Sequence, residues 1–174
     1  MILLAGATGN LGRAVTQMLL AQRRPVRILA RPGSNYQPLA DAGAQVVLGD
    51  LKQRDSLDAA CQGAEFVITT ANSSRRGGED NAQTVDLEGN HNLIEAAKAA
   101  GTKQFIFVSM LGADPNSPIP FAQAKGRTED DLRASRLPYT IIAPNFYMEA
   151  ILSDCVGLPA MRGQPVSLVG EGRR

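Results

Sequence analysis

The chain has 174 residues, which is enough for one domain and too short for two full ones. Hydrophobic residues make up 44% and charged residues 20%, a globular composition that excludes wholesale disorder. The 18 Lys and Arg residues nearly balance 17 Asp and Glu residues, and a formal charge of +1 argues against a dedicated nucleic-acid-binding domain.

The cysteines and the N-terminal residues indicate the cellular compartment of the protein. Cys61 and Cys155 are far apart in sequence and predict two free thiols in a reducing compartment. The apolar run of residues 1–5 stops at Gly6, which is far too short for a signal peptide or a membrane span. We therefore expect a cytoplasmic globular protein with neither a membrane nor a nucleic acid as its partner.

Six short apolar runs predict six β-strands. They cover residues 1–5, 26–30, 45–48, 66–69, 104–108 and 139–143. Because they are apolar at consecutive positions, they are typical of parallel strands that are covered on both faces. Segments of helical spacing lie between them, and three of these segments end at a glycine, namely Gly43, Gly63 and Gly101. The alternation predicts an α/β fold of the Rossmann type, a doubly wound parallel sheet with helices on both faces.

A glycine-rich turn follows the first predicted strand, with the spacing G-x-x-G-x-x-G ahead of a helix. Gly6 gives a tight exit from the strand, Gly9 lets a pyrophosphate approach backbone N–H groups, and Gly12 lets the helix pack on the strand. The turn lacks the Gly-Lys-Ser/Thr of a P-loop, which disfavours ATP hydrolysis. We expect a dinucleotide to contact the whole turn: Gly6, Ala7, Thr8, Gly9, Asn10, Leu11 and Gly12.

The end of the second predicted strand bears on the choice of nucleotide. An Asp or Glu there would hold the ribose 2′-hydroxyl of NAD, but residues 26–34 contain no carboxylate. Arg31 is placed to meet a 2′-phosphate, with Ser34 and Arg27 as candidate helpers, since a guanidinium binds phosphate in a bidentate manner. NADP(H) is therefore favoured over NAD(H). The alternative is a solvated arginine at a strand end.

The third predicted strand is followed by Gly49, Asp50 and Leu51. A carboxylate beside an apolar residue at that edge of the sheet suits adenine, with Asp50 accepting a hydrogen bond from the exocyclic amine. A turn or a helix cap is an equally good role for Asp50. Both roles are kept as alternatives.

Four segments together carry a family resemblance. They are residues 6–12, 49–51, 89–97 and 105–109, and they resemble the short-chain dehydrogenase/reductase superfamily. Residues 137–149 resemble its atypical, NmrA-like branch, which includes NADPH-dependent quinone reductases, isoflavone-reductase-like enzymes and catalytically silent redox-sensing regulators. The resemblance covers essentially the whole chain. It implies a nicotinamide nucleotide and does not identify the substrate.

The resemblance also implies a catalytic arrangement, from which this chain departs. Ordinary members use a Ser and a Tyr-x-x-x-Lys pair, in which the phenol moves the proton and the Lys contacts the ribose. Ser109 and Lys125 lie at two of these positions, but Phe121 replaces the Tyr and has no proton to give. The proton then comes from Lys125, Tyr147 or water, or the site only holds nucleotide. Another role for Lys125 is an ion pair with Glu129, one helical turn further on.

Two functions of different classes follow from these motifs. The first is an NADP(H)-dependent oxidoreductase of the NmrA-like type, acting on a quinone or a small carbonyl electrophile. The alternative is a catalytically silent NADP(H)-binding sensor that signals to a protein partner. No metal site is expected, because one His and two distant Cys do not supply the usual ligand spacing.

The domain organisation follows from where the motifs end. Residues 1–150 are predicted to form the NAD(P)-binding domain, and residues 151–174 the start of a substrate-binding C-terminal region. The resemblance implies further strands and a substrate lobe after this point. We therefore expect a chain that is incomplete after Arg174. The alternative is a naturally short nucleotide-binding domain with little substrate pocket.

Overall fold

Six parallel strands form one sheet within the residues that the computed structural model describes, which are 1–74, 76–145, 147 and 157–166. The strands are β1 Ile2–Ala5, β2 Val26–Ala30, β3 Gln45–Leu48, β4 Phe66–Thr69, β5 Gln104–Val108 and β6 Tyr139–Ile142. Four match the predicted bounds, while β1 begins and β6 ends one residue inside them. The sheet belongs to the first of two compact units, Met1–Ala143, and the second unit is Pro144–Arg174.

The order of the strands across the sheet is β3-β2-β1-β4-β5-β6, with every pair parallel. Ile2 of β1 aligns with Val26 of β2 on one side and with Phe66 of β4 on the other. The chain therefore builds outward from β1 to β3 and then returns to build in the opposite direction from β4. In open sheets of this kind, ligands bind at the carboxyl ends of the strands beside that reversal.

Helices connect the strands. They are α1 Asn10–Ala21, α2 Gln37–Asp41, α3 Arg54–Cys61, α4 Asn90–Ala99 and α5 Pro120–Ala134, and a π-helical segment, Ala82–Gly89, leads directly into α4. The predicted helix-ending glycines are confirmed: Gly43, Gly63 and Gly101 have φ values of 101°, 70° and 70°. A glycine without a Cβ adopts this left-handed conformation with the least strain.

The core lies in two layers, one on each face of the sheet. Leu3 of β1 packs in the layer formed with α3, α4 and α5, whereas the next residue, Leu4, packs in the layer formed with α1 and α2. Successive side chains of a strand point to opposite faces, so each central strand must be apolar at consecutive positions. The doubly wound α/β prediction is confirmed.

The edge strands depart from the prediction that all strands are covered on both faces. Leu48 at the end of β3 is 52% exposed, and Ile142 at the end of β6 is 49% exposed. An edge strand has a neighbour on one side only, and apolar runs do not distinguish it from a central strand. The position in the sheet order decides the burial of these two side chains.

The second unit has one helix among its described residues, α6, which is Leu158–Met161. Most of the predicted C-terminal region, with Cys155, lies outside the described residues. The domain assignment of residues 1–150 and 151–174 stays a prediction. None of the described helices is both long enough and apolar enough to cross a lipid bilayer.

Candidate functional site

The glycine-rich turn lies at the reversal of the sheet and leaves no space for side chains at two positions. Gly6 has a φ of 85°, and a Cβ there would lie 2.6 Å from the backbone nitrogen of Ala71, just after β4. A Cβ on Gly12 would lie 2.1 Å from the backbone oxygen of Gly6. Both glycines are thus required by close backbone approach. The predicted reasons for Gly6 and Gly12 agree with this geometry.

The N-terminus of α1 offers unpaired donors to a ligand. Gly9 is the N-cap, and no side chain caps the helix. Its own N–H is taken, since it donates to the Gly6 oxygen at 3.1 Å. The N–H groups of Asn10, Leu11 and Gly12 begin the helix and therefore have no acceptor within it. The helix dipole makes this end electropositive, so the turn fits an anionic group such as a diphosphate.

The rest of the turn is placed unevenly. Thr8 is partly exposed, and Gly9 and Asn10 are exposed. Ala7 packs in the second core layer with no exposed surface. The predicted contacts between these residues and a dinucleotide stay predictions.

Three cations converge on one carboxylate beside the ends of β2 and β3. Asp80 forms ion pairs with Arg31, with Lys52 at 2.7 Å and with Arg76 at 3.3 Å. The Ser34 hydroxyl donates to the backbone oxygen of Arg31 at 2.7 Å. The predicted pair of Arg31 and Ser34 therefore lies together, in a cationic cluster that also contains Lys52. Neither Lys52 nor Asp80 was identified from the sequence.

Arg27 is not part of that cluster, and its predicted role as a helper is wrong. Its guanidinium donates to the backbone oxygens of Ala60 at 2.7 Å and Gln62 at 2.6 Å, and to the Gln45 side chain at 3.0 Å. These carbonyls lie at the end of α3, where the helix has no internal donors left. Arg27 therefore caps α3 instead of facing a nucleotide.

Asp50 and Leu51 follow β3, where each has a structural role. One carboxylate oxygen of Asp50 accepts from the backbone N–H of Lys52 at 2.9 Å, which is the turn role considered from the sequence. Leu51 is buried in the core, and a Cβ on Gly89 would lie 2.8 Å from its Cβ. A contact of either residue with adenine stays a prediction.

Lys125 is buried in an ion pair that the sequence did not predict. Its ammonium lies 3.5 Å from a carboxylate oxygen of Asp86 and donates to the Val108 oxygen at 3.2 Å. The Phe107 and Phe121 rings lie 4.8 and 5.5 Å from it. Its side chain is 3% exposed, and burial lowers the pKa of the ammonium while the Asp86 carboxylate opposes that shift. The ion pair with Glu129, considered from the sequence as an alternative role, is wrong.

Glu129 instead accepts a hydrogen bond from the Ser109 hydroxyl at 2.5 Å and pairs with Arg133 at 2.7 Å. Ser109 directly follows β5, and its backbone N–H continues the sheet ladder to Ile142. The third predicted catalytic residue, Tyr147, belongs to the second unit and is 44% exposed. The catalytic roles of Ser109, Lys125 and Tyr147 stay predictions.

Asp86 anchors the buried polar network around Lys125. Its second carboxylate oxygen accepts from the Ser73 backbone N–H at 3.0 Å and from the Ser73 hydroxyl at 2.5 Å. The Thr128 hydroxyl and the Asn90 amide both donate to the Asp86 backbone oxygen. The network thus ties the loop after β4 to α4 and α5. The sequence contained a signal for this buried carboxylate, since Asp86 lies within an apolar helical pattern.

The Asp80 cluster predicts a stability effect at low pH. Hydrogen bonding from Lys52, followed by that from Arg31, lowers the pKa of the Asp80 carboxyl from 3.8 to about 2, although burial opposes the shift. A lowered pKa in the folded state means that the stabilisation is present above pH 3.8 and is lost as the pH falls towards 2. We expect the difference in unfolding free energy between wild type and Asp80→Asn to be constant at neutral pH and to shrink in this window. Urea unfolding at a series of pH values measures it, and a constant difference down to pH 2 would contradict it.

Two other features of the described residues bear on chemistry. Cys61 is fully buried, and burial raises the pKa of its thiol to about 12, so it is a core residue rather than a nucleophile. No group of three or more His, Cys, Asp or Glu side chains within the described residues could hold a metal ion.

Known proteins with similar sequences include reductases and photosystem II assembly factors. Residues 6–153 match the family described as NAD(P)H-binding. The photosystem II assembly factor Ycf39 of Cyanophora paradoxa is 35% identical over 98% of this chain and 52% of its own length. The NAD(P)H azoreductase of Xenophilus azovorans is 29% identical over 99% of this chain and 57% of its own length.

The structure of the NADPH-dependent quinone oxidoreductase QOR2 of Escherichia coli, solved with NADPH, matches with a TM-score of 0.74. It is 31% identical, over 94% of this chain and 55% of that one. The chain thus spans about half the length of these relatives. The expected class of cofactor and the resemblance to atypical short-chain dehydrogenases/reductases are confirmed. The chain belongs to the NAD(P)H-binding family.

Proposed function

We propose that this chain is the nucleotide-binding part of an NADPH-dependent reductase that acts on quinones or related conjugated electrophiles. The observation that carries the proposal is the uncapped N-terminus of α1, held by Gly6 and Gly12 at the reversal of the sheet. A diphosphate at that position would receive the N–H groups that the helix leaves unpaired. The similarity to QOR2 and to the azoreductase supports this class of reaction.

The preference for NADP(H) is proposed from the cationic cluster. Arg31 and Lys52 both approach the Asp80 carboxylate at the ends of β2 and β3. β2 ends without a carboxylate of its own that would hold a ribose 2′-hydroxyl. Two cations at this point suit a 2′-phosphate, because charge-assisted hydrogen bonds to phosphate are stronger than neutral ones.

The cofactor, when bound, supplies a hydride. The chain's own residues would bind the diphosphate at α1 and the 2′-phosphate at Arg31 and Lys52, and would orient the nicotinamide towards the ends of β4 and β5. Phe121 offers no proton, and the Lys125 side chain is 3% exposed, with its ammonium already paired with Asp86. Lys125 is thus disfavoured, and of the remaining candidates we propose water, which requires no group from the second unit, rather than Tyr147 as the source of the proton.

This source of protons favours a quinone over a simple ketone. A quinone that accepts a hydride becomes a phenolate, which is a far weaker base than the alkoxide formed from a ketone. It needs no acid of matched pKa in the transition state, whereas an alkoxide benefits from one. The loss of the Tyr at position 121 is thus compatible with quinone reduction.

Oxidation of NADPH by the complete polypeptide against a panel of quinones and ketones tests the proposal. We expect turnover with quinones and a kcat/KM with ketones that is lower by about a hundredfold or more, since the loss of a general acid typically costs about 10²- to 10⁴-fold in rate. Phe121→Tyr is expected to raise ketone turnover while leaving quinone turnover within a factor of about two. Absence of quinone turnover above the rate without protein would contradict the proposal.

A second candidate is a nucleotide-binding regulator without turnover. It is favoured by the same absence of a proton donor, since Phe121 and the paired Lys125 leave the nucleotide turn intact. The similarity to Ycf39, an assembly factor, also supports it. Calorimetric titration separates the two: binding of NADP(H) without oxidation by any acceptor would favour the regulator.

A further inference from the structure

The Asp80 cluster combines an anion and three cations that come from three parts of the chain. Arg31 follows β2, Lys52 follows β3, and Arg76 and Asp80 lie in the loop after β4. One Asp80 oxygen contacts Lys52, and the other contacts both Arg31 and Arg76. The Asp80 side chain is 15% exposed, and the cations contact both of its carboxylate oxygens. An internal carboxylate therefore fills the position where Arg31 and Lys52 would bind an external anion.

We propose that Asp80 is a specificity-determining residue: it occupies the Arg31–Lys52 pair in the free protein, and the 2′-phosphate of NADP(H) must displace it. The inference rests on the proposed function, because it concerns the same nucleotide. It adds a residue, Asp80, that competes with the cofactor instead of binding it.

The chemistry of the two anions supports an exchange. A carboxylate and a phosphate are both acceptors that bind Arg and Lys through charge-assisted hydrogen bonds. A phosphate monoester carries a charge of about −1.5 to −2 at neutral pH, compared with −1 for a carboxylate, and has three free oxygens. The 2′-phosphate thus interacts more strongly with the same cations. NAD(H) has only a hydroxyl at this position and cannot displace the carboxylate.

Displacement of Asp80 from Arg31 and Lys52 is expected to involve its side chain and not its backbone. Asn81, the next residue, is the N-cap of the π-helical segment and is fixed by reciprocal hydrogen bonds with Thr84. The backbone of Asp80 is therefore anchored on one side. We therefore expect the carboxylate to be released by rotation of the partly exposed Asp80 side chain rather than by movement of the backbone.

Asp80→Asn tests the competition directly. The amide removes the negative charge while keeping the size of the side chain, so Arg31 and Lys52 are freed. We expect the Kd of NADPH to fall about fivefold to tenfold, the equivalent of several partly exposed ion pairs, and the Kd of NADH to stay the same. The wild-type preference for NADPH should also weaken with added salt, because exposed charges are screened.

Glu79→Gln is the matched control, because Glu79 is the neighbouring carboxylate and no ion pair between it and Arg31, Lys52 or Arg76 occurs among the described residues. Its NADPH affinity should stay within a factor of about two of wild type. Calorimetry on the complete polypeptide with NADPH, NADH and adenosine 2′,5′-bisphosphate gives the three affinities for each variant. Thermal unfolding of each variant verifies that it is folded.

The outcomes separate the inference from the proposed function. Tighter NADPH and bisphosphate binding in Asp80→Asn alone, with NADH unchanged, supports the inference. An unchanged NADPH/NADH ratio in Asp80→Asn overturns it and leaves the proposed function standing. If Asp80→Asn binds NADPH more weakly than wild type, Asp80 positions the cations for the cofactor. If the variant binds NADH more weakly, Asp80 is a ligand of the ribose. Either result overturns the inference that Asp80 competes with the cofactor. Absence of binding of any nucleotide to any variant overturns both.

Discussion

Gly12→Ala is expected to lower the free energy of unfolding by about 3 kcal/mol or more, at the upper end for an overpacked site. The added methyl group would lie 2.1 Å from the Gly6 oxygen and 2.8 Å from the Thr70 hydroxyl oxygen. In an open helix the same change would stabilise by about 1 kcal/mol through helix propensity. The contact is with backbone that cannot rotate away, so the clash determines the sign. Urea unfolding measures the effect.

Gly9→Ala should separate nucleotide binding from folding. Its methyl group would lie 3.4 Å from the Gly6 oxygen, which is ordinary contact, and Gly9 has a φ of −76°. We expect a stability loss within about 1 kcal/mol, because alanine is a poorer N-cap than glycine. The Kd of NADPH should rise about tenfold or more, since the methyl group stands where a pyrophosphate would approach.

Gly77→Ala is the matched control for both variants. A Cβ at Gly77 would have no atom within 4 Å, so neither stability nor binding should change beyond about 0.5 kcal/mol. Wild-type stability of Gly12→Ala would contradict the close approach of α1 to the turn. Wild-type affinity of a folded Gly9→Ala would contradict the placement of a diphosphate at the helix N-terminus.

Lys125→Met is expected to cost about 3–5 kcal/mol of unfolding free energy, the usual effect of removing one partner of a buried ion pair. Methionine replaces much of the aliphatic stem, so the loss comes mainly from the charge. Asp86 would remain fully buried, with only the two hydrogen bonds from Ser73 to its carboxylate. Chemical unfolding of the variant gives the value.

Lys98→Met on α4 is the matched control for this experiment. Lys98 pairs with Glu95 at 3.6 Å, and the two side chains are 51% and 37% exposed, so the expected cost in unfolding free energy is within about 0.5 kcal/mol. The double variant Asp86→Asn/Lys125→Met should lose less unfolding free energy than the sum of the losses in the two single variants, because the two residues share one interaction. Equal losses in Lys125→Met and Lys98→Met would contradict the buried pair.

The sheet was predictable because burial on both faces imposes a simple pattern. A central parallel strand needs apolar residues at consecutive positions, and the runs at β2, β4 and β5 gave the strand bounds. The helix-ending glycines were equally readable, because a left-handed backbone conformation favours glycine. The exposure of Leu48 and Ile142 could not be predicted, because the apolar run of an edge strand resembles that of a central strand. Only the order of the strands in the sheet distinguishes the two.

The candidate site was predictable where backbone geometry dictates the residue type. Gly6 and Gly12 are needed because two backbone segments meet at that point. The partners of charged side chains were not predictable in the same way. Arg27 and Arg31 are four residues apart on and after one strand, yet one caps α3 and the other joins Asp80. Long charged side chains form ion pairs and hydrogen bonds with residues that are distant in sequence, so the fold determines their partners.

By itself, the sequence determined the succession of strands and helices along the chain and the position of the dinucleotide turn. The first depends on local periodicity, and the second on glycines at fixed spacing. Only the tertiary structure decided that Lys125 pairs with Asp86, 39 residues earlier in sequence, and that Asp80 meets Arg31 and Lys52. The physical reason is that local periodicity fixes elements, whereas electrostatic partners depend on which elements the sheet order brings together.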